Sequence, residues 1–299
     1  MLISVCMCTY KRVHLERTLN SIEALNLPEN ATIEIIVVDN DEAQSGRTIF
    51  DRHAARSRFP CRYILETRKN ISIARNAYLT AAKGSWIASI DDDEVADKNW
   101  LLYLLDTAKR YDSQVVFGSV KPVFPDSVPN WIEAGKYFVR KDYKTGTSLT
   151  SGGAGCTITN VKVLREHSLS FNKVYGLSGG EDAELFHRIY NLGYKLSYCK
   201  EAFVEETVEP HRLNSNFLTK RAFRVGQSFT SYRLPNTSTW INKVKYFTPL
   251  IPKAIFASIL CMITFPLGKH RYFKYWLKLC DIAGKVSVLF GNQTIELYK

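Results

Sequence analysis

No pair of cysteines in this chain has C-x-x-C spacing, and the seven present are scattered in odd number. That excludes a zinc ribbon and a disulfide framework. Cys6 and Cys8 fall on one face of a strand-like segment and read as small buried hydrophobes. Neither G-x-G-x-x-G nor G-x-x-x-x-G-K-[ST] occurs, so neither the usual dinucleotide fold nor a P-loop is supported. The first residues run straight into Ile3-Ser4-Val5-Cys6-Met7-Cys8 with no leader pattern, and the expected compartment is a reducing cytoplasm. Acid is scarce in one region only. Residues 211–299 carry 14 Lys and Arg against 2 acids, whereas residues 1–210 carry 26 against 27. The whole net charge of +11 therefore belongs to the C-terminal part, which marks a change of role near Pro210.

What is abundant is carboxylate at two points. Ile87-Ala88-Ser89-Ile90 runs into Asp91-Asp92-Asp93-Glu94, and such a cluster repels itself unless a cation sits in it. An oxygen-only set suits Mg²⁺ or Mn²⁺, ions that share their coordination with substrate phosphates. A solvated acidic turn before the helix starting near Trp100 is the competing explanation. The second cluster, Gly179-Gly180-Glu181-Asp182, opens a helical stretch, and the two glycines permit close approach of a substrate. First-turn acids stabilised by the helix dipole are the alternative there.

Between these points strands and helices alternate. Strands are expected at 3–8, 33–38, 63–65 and 86–90, and helices at 15–24 and 71–82. This pattern predicts an α/β fold with a doubly wound, mainly parallel sheet. Ligands of such sheets lie beyond the carboxyl ends of the strands, where Thr9, Tyr10, Asp39 and Asp91 would converge. Asp39 can accept from a base or ribose, and Arg75 can reach a phosphate or base carbonyl.

The ordered set Cys8-Thr9-Tyr10-Lys11-Arg12, Val37-Val38-Asp39-Asn40, Asn70-Ile71-Ser72-Ile73-Ala74-Arg75-Asn76, Asp91-Asp92-Asp93 and Gly180-Glu181-Asp182-Ala183-Glu184-Leu185 resembles glycosyltransferase family 2. Within it, the bacterial exopolysaccharide and capsule enzymes are the most similar. The resemblance implies a GT-A fold, a nucleotide-sugar donor, usually a UDP-sugar, and transfer with inversion. Carried over by motif, Thr9, Tyr10, Arg12 and Asp39 would hold the nucleoside, with Asp39 on the uracil and Arg75 near the nucleotide. Asp91 would contact the ribose, Asp93 would ligate the metal, and Asp92 would support them from behind. Asp182 would be the general base, with Glu181 and Gly180 on the acceptor side or orienting the base. Arg188 occupies a position where the family often carries a basic residue, and an ordinary helix-surface arginine is the alternative. His211 stands where such enzymes commonly complete metal or diphosphate binding. Gly152-Gly153-Ala154-Gly155 resembles the family's glycine-rich approach to the acceptor side; a plain flexible loop is the alternative.

The expected organisation is a catalytic domain at 1–212, with nucleotide-sugar binding in 1–122 and the acceptor side and base in 123–212. A basic helical appendage at 213–299 would follow. Residues 247–268 are apolar but interrupted by Lys253 and by prolines. Their uninterrupted run of about 14 residues falls short of the ~20 needed to span a bilayer. A buried or re-entrant helix is expected there. Tyr272, Tyr275, Trp276, Leu279, Ile282, Ala283, Val286 and Phe290 then recur at helical spacing opposite Arg271, Lys274, Lys278 and Lys285, the pattern of an interfacial helix on anionic lipid. A peripheral place on the inner face of the cytoplasmic membrane, with a lipid-linked or oligosaccharide acceptor, is the resulting expectation. Nucleic acid is not an expected partner, because the basic part is too apolar and its aromatics follow helical spacing. A non-catalytic GT-A scaffold, another nucleotide-binding protein and a sugar nucleotidyltransferase are the alternatives weighed. The last would be expected to carry a glycine-rich loop near the N-terminus, which Cys8-Thr9-Tyr10-Lys11-Arg12 lacks.

Overall fold

The structure is a computed structural model and describes residues 1–11, 13–234 and 238–290. In chain order the elements are β1 (Leu2–Thr9), α1 (Leu15–Glu23), β2 (Thr32–Asp39), α2 (Arg47–Ala54), β3 (Cys61–Leu65), α3 (Ile71–Ala81), β4 (Trp86–Ser89), β5 (Glu94–Ala96), α4 (Trp100–Arg110) and β6 (Val115–Val123). There follow α5 (Asn130–Gly135), β7 (Thr157–Asn160), α6 (Val161–Glu166), α7 (Glu181–Asn191), β8 (Leu196–Thr207), α8 (Ser215–Arg233), α9 (Trp240–Phe247), α10 (Leu250–Thr264) and α11 (Lys269–Ser287). Two compact units result, one formed by Met1–Val123 with Arg140–Thr207, the other by Phe124–Val139 with the described residues from Val208 to Phe290. Residues 124–139, expected within the catalytic part, thus cluster with the C-terminal helices.

The first unit holds a mixed, mostly parallel sheet in the order β3-β2-β1-β4-β7-β6-β8-β5. Its parallel half, β3-β2-β1-β4, is the part the alternating pattern predicts. The β-branched run of β2 is buried on both faces from Ile33 to Asp39, as a strand covered by helices on either side must be. One apolar cluster joins Leu15, Leu19, Phe50, Trp100 and Leu104 to one face of the sheet. Tyr78, Leu164, Leu185 and Ile189 pack on the other. Cys6 and Cys8 both join that second cluster, whereas Ile3, Val5 and Met7 join the first, as their alternation requires. All seven cysteines are free.

One local expectation is revised. The acidic run does not lead directly into α4; Glu94–Ala96 forms a short edge strand paired antiparallel to β8, opposite Glu206, Glu205 and Val204. This pins the acidic turn between two pieces of sheet, and three residues are too few for periodicity to reveal.

In the second unit, Ile132 and Phe138 share an apolar cluster with Val208, Leu213, Leu218 and Phe273. Helices α8 and α11 cross at two glycines: a Cβ on Gly226 would lie 2.0 Å from the Asp281 carbonyl oxygen, and one on Gly284 1.9 Å from that of Phe223. The buried side of α11 is therefore Phe273, Cys280, Ile282, Gly284 and Ser287. Of the apolar face expected to lie on lipid, Ile282 is buried, whereas Trp276, Ala283 and Phe290 are exposed.

The apolar stretch before it departs further from expectation. The 28-residue span Trp240–Leu267, α9 and α10 joined by a two-residue turn and ended by a 3-10 turn, has a mean hydropathy of 1.9 over its most apolar window and is long and apolar enough to cross a membrane. Only 6% of that window is buried, so of the expected buried or re-entrant helix the buried form is overturned. Pro252 does not break it, because it sits in the first turn of α10, where no intrahelical N–H bond is lost. Ile251, Ile255, Phe256, Ile259, Met262 and Ile263 all stand exposed.

Candidate active site

Thr9 and Asp39 are register partners at the carboxyl ends of β1 and β2, and the acidic turn follows β4 on the other side of β1. Asp39 is fully buried. Its Oδ1 accepts the Asp41 N–H at 3.0 Å, and its Oδ2 accepts the Gly46 N–H and the Tyr63 hydroxyl, both at 2.8 Å. Burial and this carboxylate push the Tyr63 phenol well up, so it donates and stays neutral. Gly46 closes tightly here, since a Cβ would lie 2.9 Å from Thr9 Cγ2 and 3.0 Å from Asp39 Oδ2. Tyr10 is exposed at the end of β1, with the Lys11 and Lys69 ammonium groups 5.2 and 5.1 Å from its ring centre. Arg12 lies outside the described residues.

The acidic turn divides its labour. Asp92 is buried, and its Oδ2 accepts the Thr9 hydroxyl at 2.7 Å while its carbonyl accepts that of Thr18 at 3.0 Å. Asp92 thereby fastens the turn to β1 and α1. Asp93 is buried, whereas the Asp91 side chain is 44% exposed and faces outward.

Arg75 lies on the buried side of α3, a helix set by Asn70, whose Oδ1 caps the Ile73 N–H at 3.1 Å. Its guanidinium joins both acidic clusters: Nη1 is 2.7 Å from Glu181 Oε1 and 3.8 Å from Asp182 Oδ2, and Nη2 is 3.3 Å from Asp91 Oδ1. Gly179 and Gly180 turn the chain into α7 with φ of +78° and +99°, a left-handed pair that side chains disfavour. That turn sends Glu181 inward and leaves Asp182 at the surface of the cleft. Burial raises the Glu181 carboxyl to about 7 against the opposing pull of Arg75, with Asp182 adding to the rise. Asp182 is one-quarter exposed, its Oδ2 accepting the Ala154 N–H at 3.2 Å.

Two participants, Glu94 and Arg140, had no role assigned by the sequence. Glu94 is fully buried; its Oε2 accepts the Asp91 N–H at 2.9 Å, and burial beside Asp91 pushes its carboxyl well up. Gly155 leaves room for this pair, since a Cβ there would lie 2.7 Å from Glu94 Oε1 and 2.8 Å from Asp91 Oδ2. Arg140 reaches Glu206 at 2.9 Å. A side chain at Gly153 would place its first carbon 3.5 Å from Asp182 Oδ2 and 3.8 Å from Arg140 Nη1, so a carboxylate and a cation border the same space. The glycine-rich run was the available signal for that space; nothing near residue 140 pointed to the cation.

Two further expected residues have other neighbours. Arg188 binds Glu184 through Nε at 2.8 Å and donates to the Ser170 carbonyl at 2.5 Å. His211 lies in a 3-10 turn, Pro210–Arg212, of the second unit, its ring edge-on to Phe217. Among the described residues no three His, Cys, Asp or Glu side chains converge as a metal cage. A hard cation held by one or two carboxylates and substrate phosphates needs no such cage, so the open Asp91 and adjacent Asp93 fit Mg²⁺ or Mn²⁺ chemistry.

Residues 4–168 match the family described as glycosyl transferase family 2. The chain is similar to the succinoglycan biosynthesis protein ExoM of Rhizobium meliloti (strain 1021), with 31% identity over 99% of this chain and 95% of that protein. It is also similar to the glucosyl-dolichyl phosphate glucuronosyltransferase of Haloferax volcanii, with 24% identity over 76% of each. Among solved structures, S. aureus TarS 1-349 in complex with UDP-GlcNAc superposes with a TM-score of 0.57 at 15% identity, covering 99% of this chain and 93% of that one. The chain spans 55% of the longer TarS chain, with a TM-score of 0.56 at 16% identity over 96% of its own length. At that identity the likeness concerns the fold, a GT-A-like sheet with C-terminal helices.

Proposed function

The chain belongs to glycosyltransferase family 2, and from that membership we propose that it moves a sugar from a UDP-sugar, with inversion, to a hydroxyl of a lipid-linked saccharide during bacterial surface polysaccharide synthesis. The observation that carries this reading is the placement of Asp182: at the start of α7, open to the cleft, and held by the Ala154 N–H beside an arginine that also grips Asp91.

Asp182 is the base. It takes the proton of the acceptor hydroxyl as that oxygen bonds to the anomeric carbon and the bond from that carbon to the diphosphate oxygen breaks on the opposite face. Glu181 is too deeply buried to reach an acceptor and acts by holding Arg75. Arg75 keeps the donor-side Asp91 and acceptor-side Asp182 in a fixed relation, so that donor and acceptor meet in line. Thr9, Tyr10 and Asp39 bind the nucleoside. Asp93 with Asp91 would hold a Mn²⁺ or Mg²⁺ ion, which when bound offsets the charge that builds on the departing diphosphate.

Support for a saccharide acceptor comes from ExoM, and for a lipid-linked one from the glucosyl-dolichyl phosphate named for the Haloferax relative. The exposed apolar helix and the basic C-terminal part support attachment to an anionic membrane, where such an acceptor resides.

Calorimetric titration of UDP with and without Mn²⁺, on the wild type and Asp93→Ala, tests the donor site. Metal-dependent binding that disappears in the variant is expected. Failure of UDP, GDP and dTDP to bind the wild type would overturn the reading.

A further inference from the structure

Within the second unit, α9, α10 and the end of α11 enclose a groove of about 330 Å³. Val244 and Phe247 of α9, Ile251 and Ala254 of α10, and Ile282 and Val286 of α11 line it, with Lys243 the charged side chain on the lining. Trp240, 76% exposed, stands at the same end as Lys243. From Trp240 to Thr264 the sequence carries Lys243, Lys245 and Lys253 and no acid. The groove is therefore an apolar slot with a cation near its mouth, cut into the helical stretch that is long and apolar enough to cross a membrane.

We propose that this groove holds one acyl chain of an anionic glycerophospholipid, with the lipid phosphate against Lys243; the proposal rests on the membrane attachment stated above. Three features select that occupant. The lining is apolar apart from Lys243 and Thr248, which suits a hydrocarbon chain and excludes a saccharide, whose hydroxyls would lose their hydrogen bonds there. The charge at the mouth is positive and unopposed by acids on α9 and α10, which complements a phosphate. Trp240 beside it is the amphipathic residue type that settles at headgroup depth.

The test uses the full chain with vesicles of phosphatidylcholine, alone or mixed with phosphatidylglycerol, doped with a phosphatidylglycerol carrying a diazirine in one acyl chain. After irradiation, cross-linked residues are mapped by peptide mass spectrometry. Cross-links on 244–254 and 282–289 are expected, and they should fall several-fold in Ala254→Trp, which fills the slot, while flotation with the vesicles persists. Lys243→Glu, a change at a half-buried position that reverses the charge on the lining, should reduce capture of the phosphatidylglycerol probe in the same positions. Cross-links confined to the outward face at Ile255, Ile259 and Met262, or unchanged in both variants, would overturn the groove while leaving membrane attachment standing. Failure to float with either vesicle would remove the membrane attachment and the groove together.

Discussion

Arg75 Nη1 lies 2.7 Å from Glu181 Oε1, across 106 residues of sequence, and the same guanidinium reaches Asp91 at 3.3 Å. This arginine joins the acidic turn after β4 to the helix carrying the candidate base. Both members of the 2.7 Å pair are at least nine-tenths buried, so neither charge has water to fall back on.

Arg75→Ala should be among the most damaging single changes. It leaves Glu181 buried without its cation, and removing one partner of a buried pair costs about 3–5 kcal/mol. Chemical denaturation should show a loss of that order with an unchanged denaturant slope. Arg75→Lys should recover part of the stability but little turnover, because an ammonium cannot grip Asp91 and Glu181 in one planar fork.

Stability should decline as pH rises from about 4.5 to about 7, the interval between the ordinary Glu181 carboxyl and its buried value. Within this window the unfolded chain has released the proton that the folded protein retains, so folding is favoured at the acid end and that advantage is gone above the upper value. Glu181→Gln keeps a polar partner for Arg75 and removes the titration. Thermal midpoints measured across this range should slope downward in the wild type relative to the variant.

Asp182→Asn keeps the shape of the side chain and its bond from the Ala154 N–H. UDP affinity should be unchanged while turnover falls by about 10²- to 10⁴-fold, the scale of a lost general base. Equal turnover in both proteins would take Asp182 out of the mechanism.

Gly155→Ala tests the acidic packing behind the donor site. The new methyl would meet Glu94 Oε1 at 2.7 Å and Asp91 Oδ2 at 2.8 Å, displacing the outward-facing carboxylate. UDP binding should weaken clearly, while the melting temperature drops by no more than overpacking of about 1–3 kcal/mol implies.

Gly284→Ala addresses the second unit. Its methyl would fall 1.9 Å from the Phe223 carbonyl oxygen, backbone that cannot swing aside, so α8 and α11 must separate. Loss of stability without loss of UDP affinity is the expected outcome.

Much of the donor half was legible in the chain. The β-branched run of β2, the polar residues at strand ends and the Asp91 to Asp93 run each report a local requirement: burial on two faces, a strand terminus, a concentration of negative charge. Asn70 before α3 and the glycine pair before α7 are likewise local, because capping and left-handed φ are properties of single residues. Glu94 was hidden inside the same acidic run. Its difference from Asp91 is burial, which depends on β5 pairing with β8 over a hundred residues away. Arg140 gave no signal, since its partner Glu206 is brought to it only when β8 closes the sheet. The buried alternative at 247–268 failed because counting uninterrupted residues treats Lys253 and Pro252 as breaks, whereas a lysine can extend outward and a first-turn proline costs the helix nothing.

The sequence by itself determined the alternating α/β order, the carboxylate clusters, the family and the charge asymmetry, because periodicity, composition and short motifs are set by neighbours along the chain. Only the tertiary structure decided which carboxylate is buried and which is open, that Arg75 serves both clusters, and that Trp240–Leu267 stands exposed while α11 meets α8 at Gly226 and Gly284. Burial and long-range pairing depend on which surfaces meet in three dimensions, and neither leaves a period or a spacing in the order of residues.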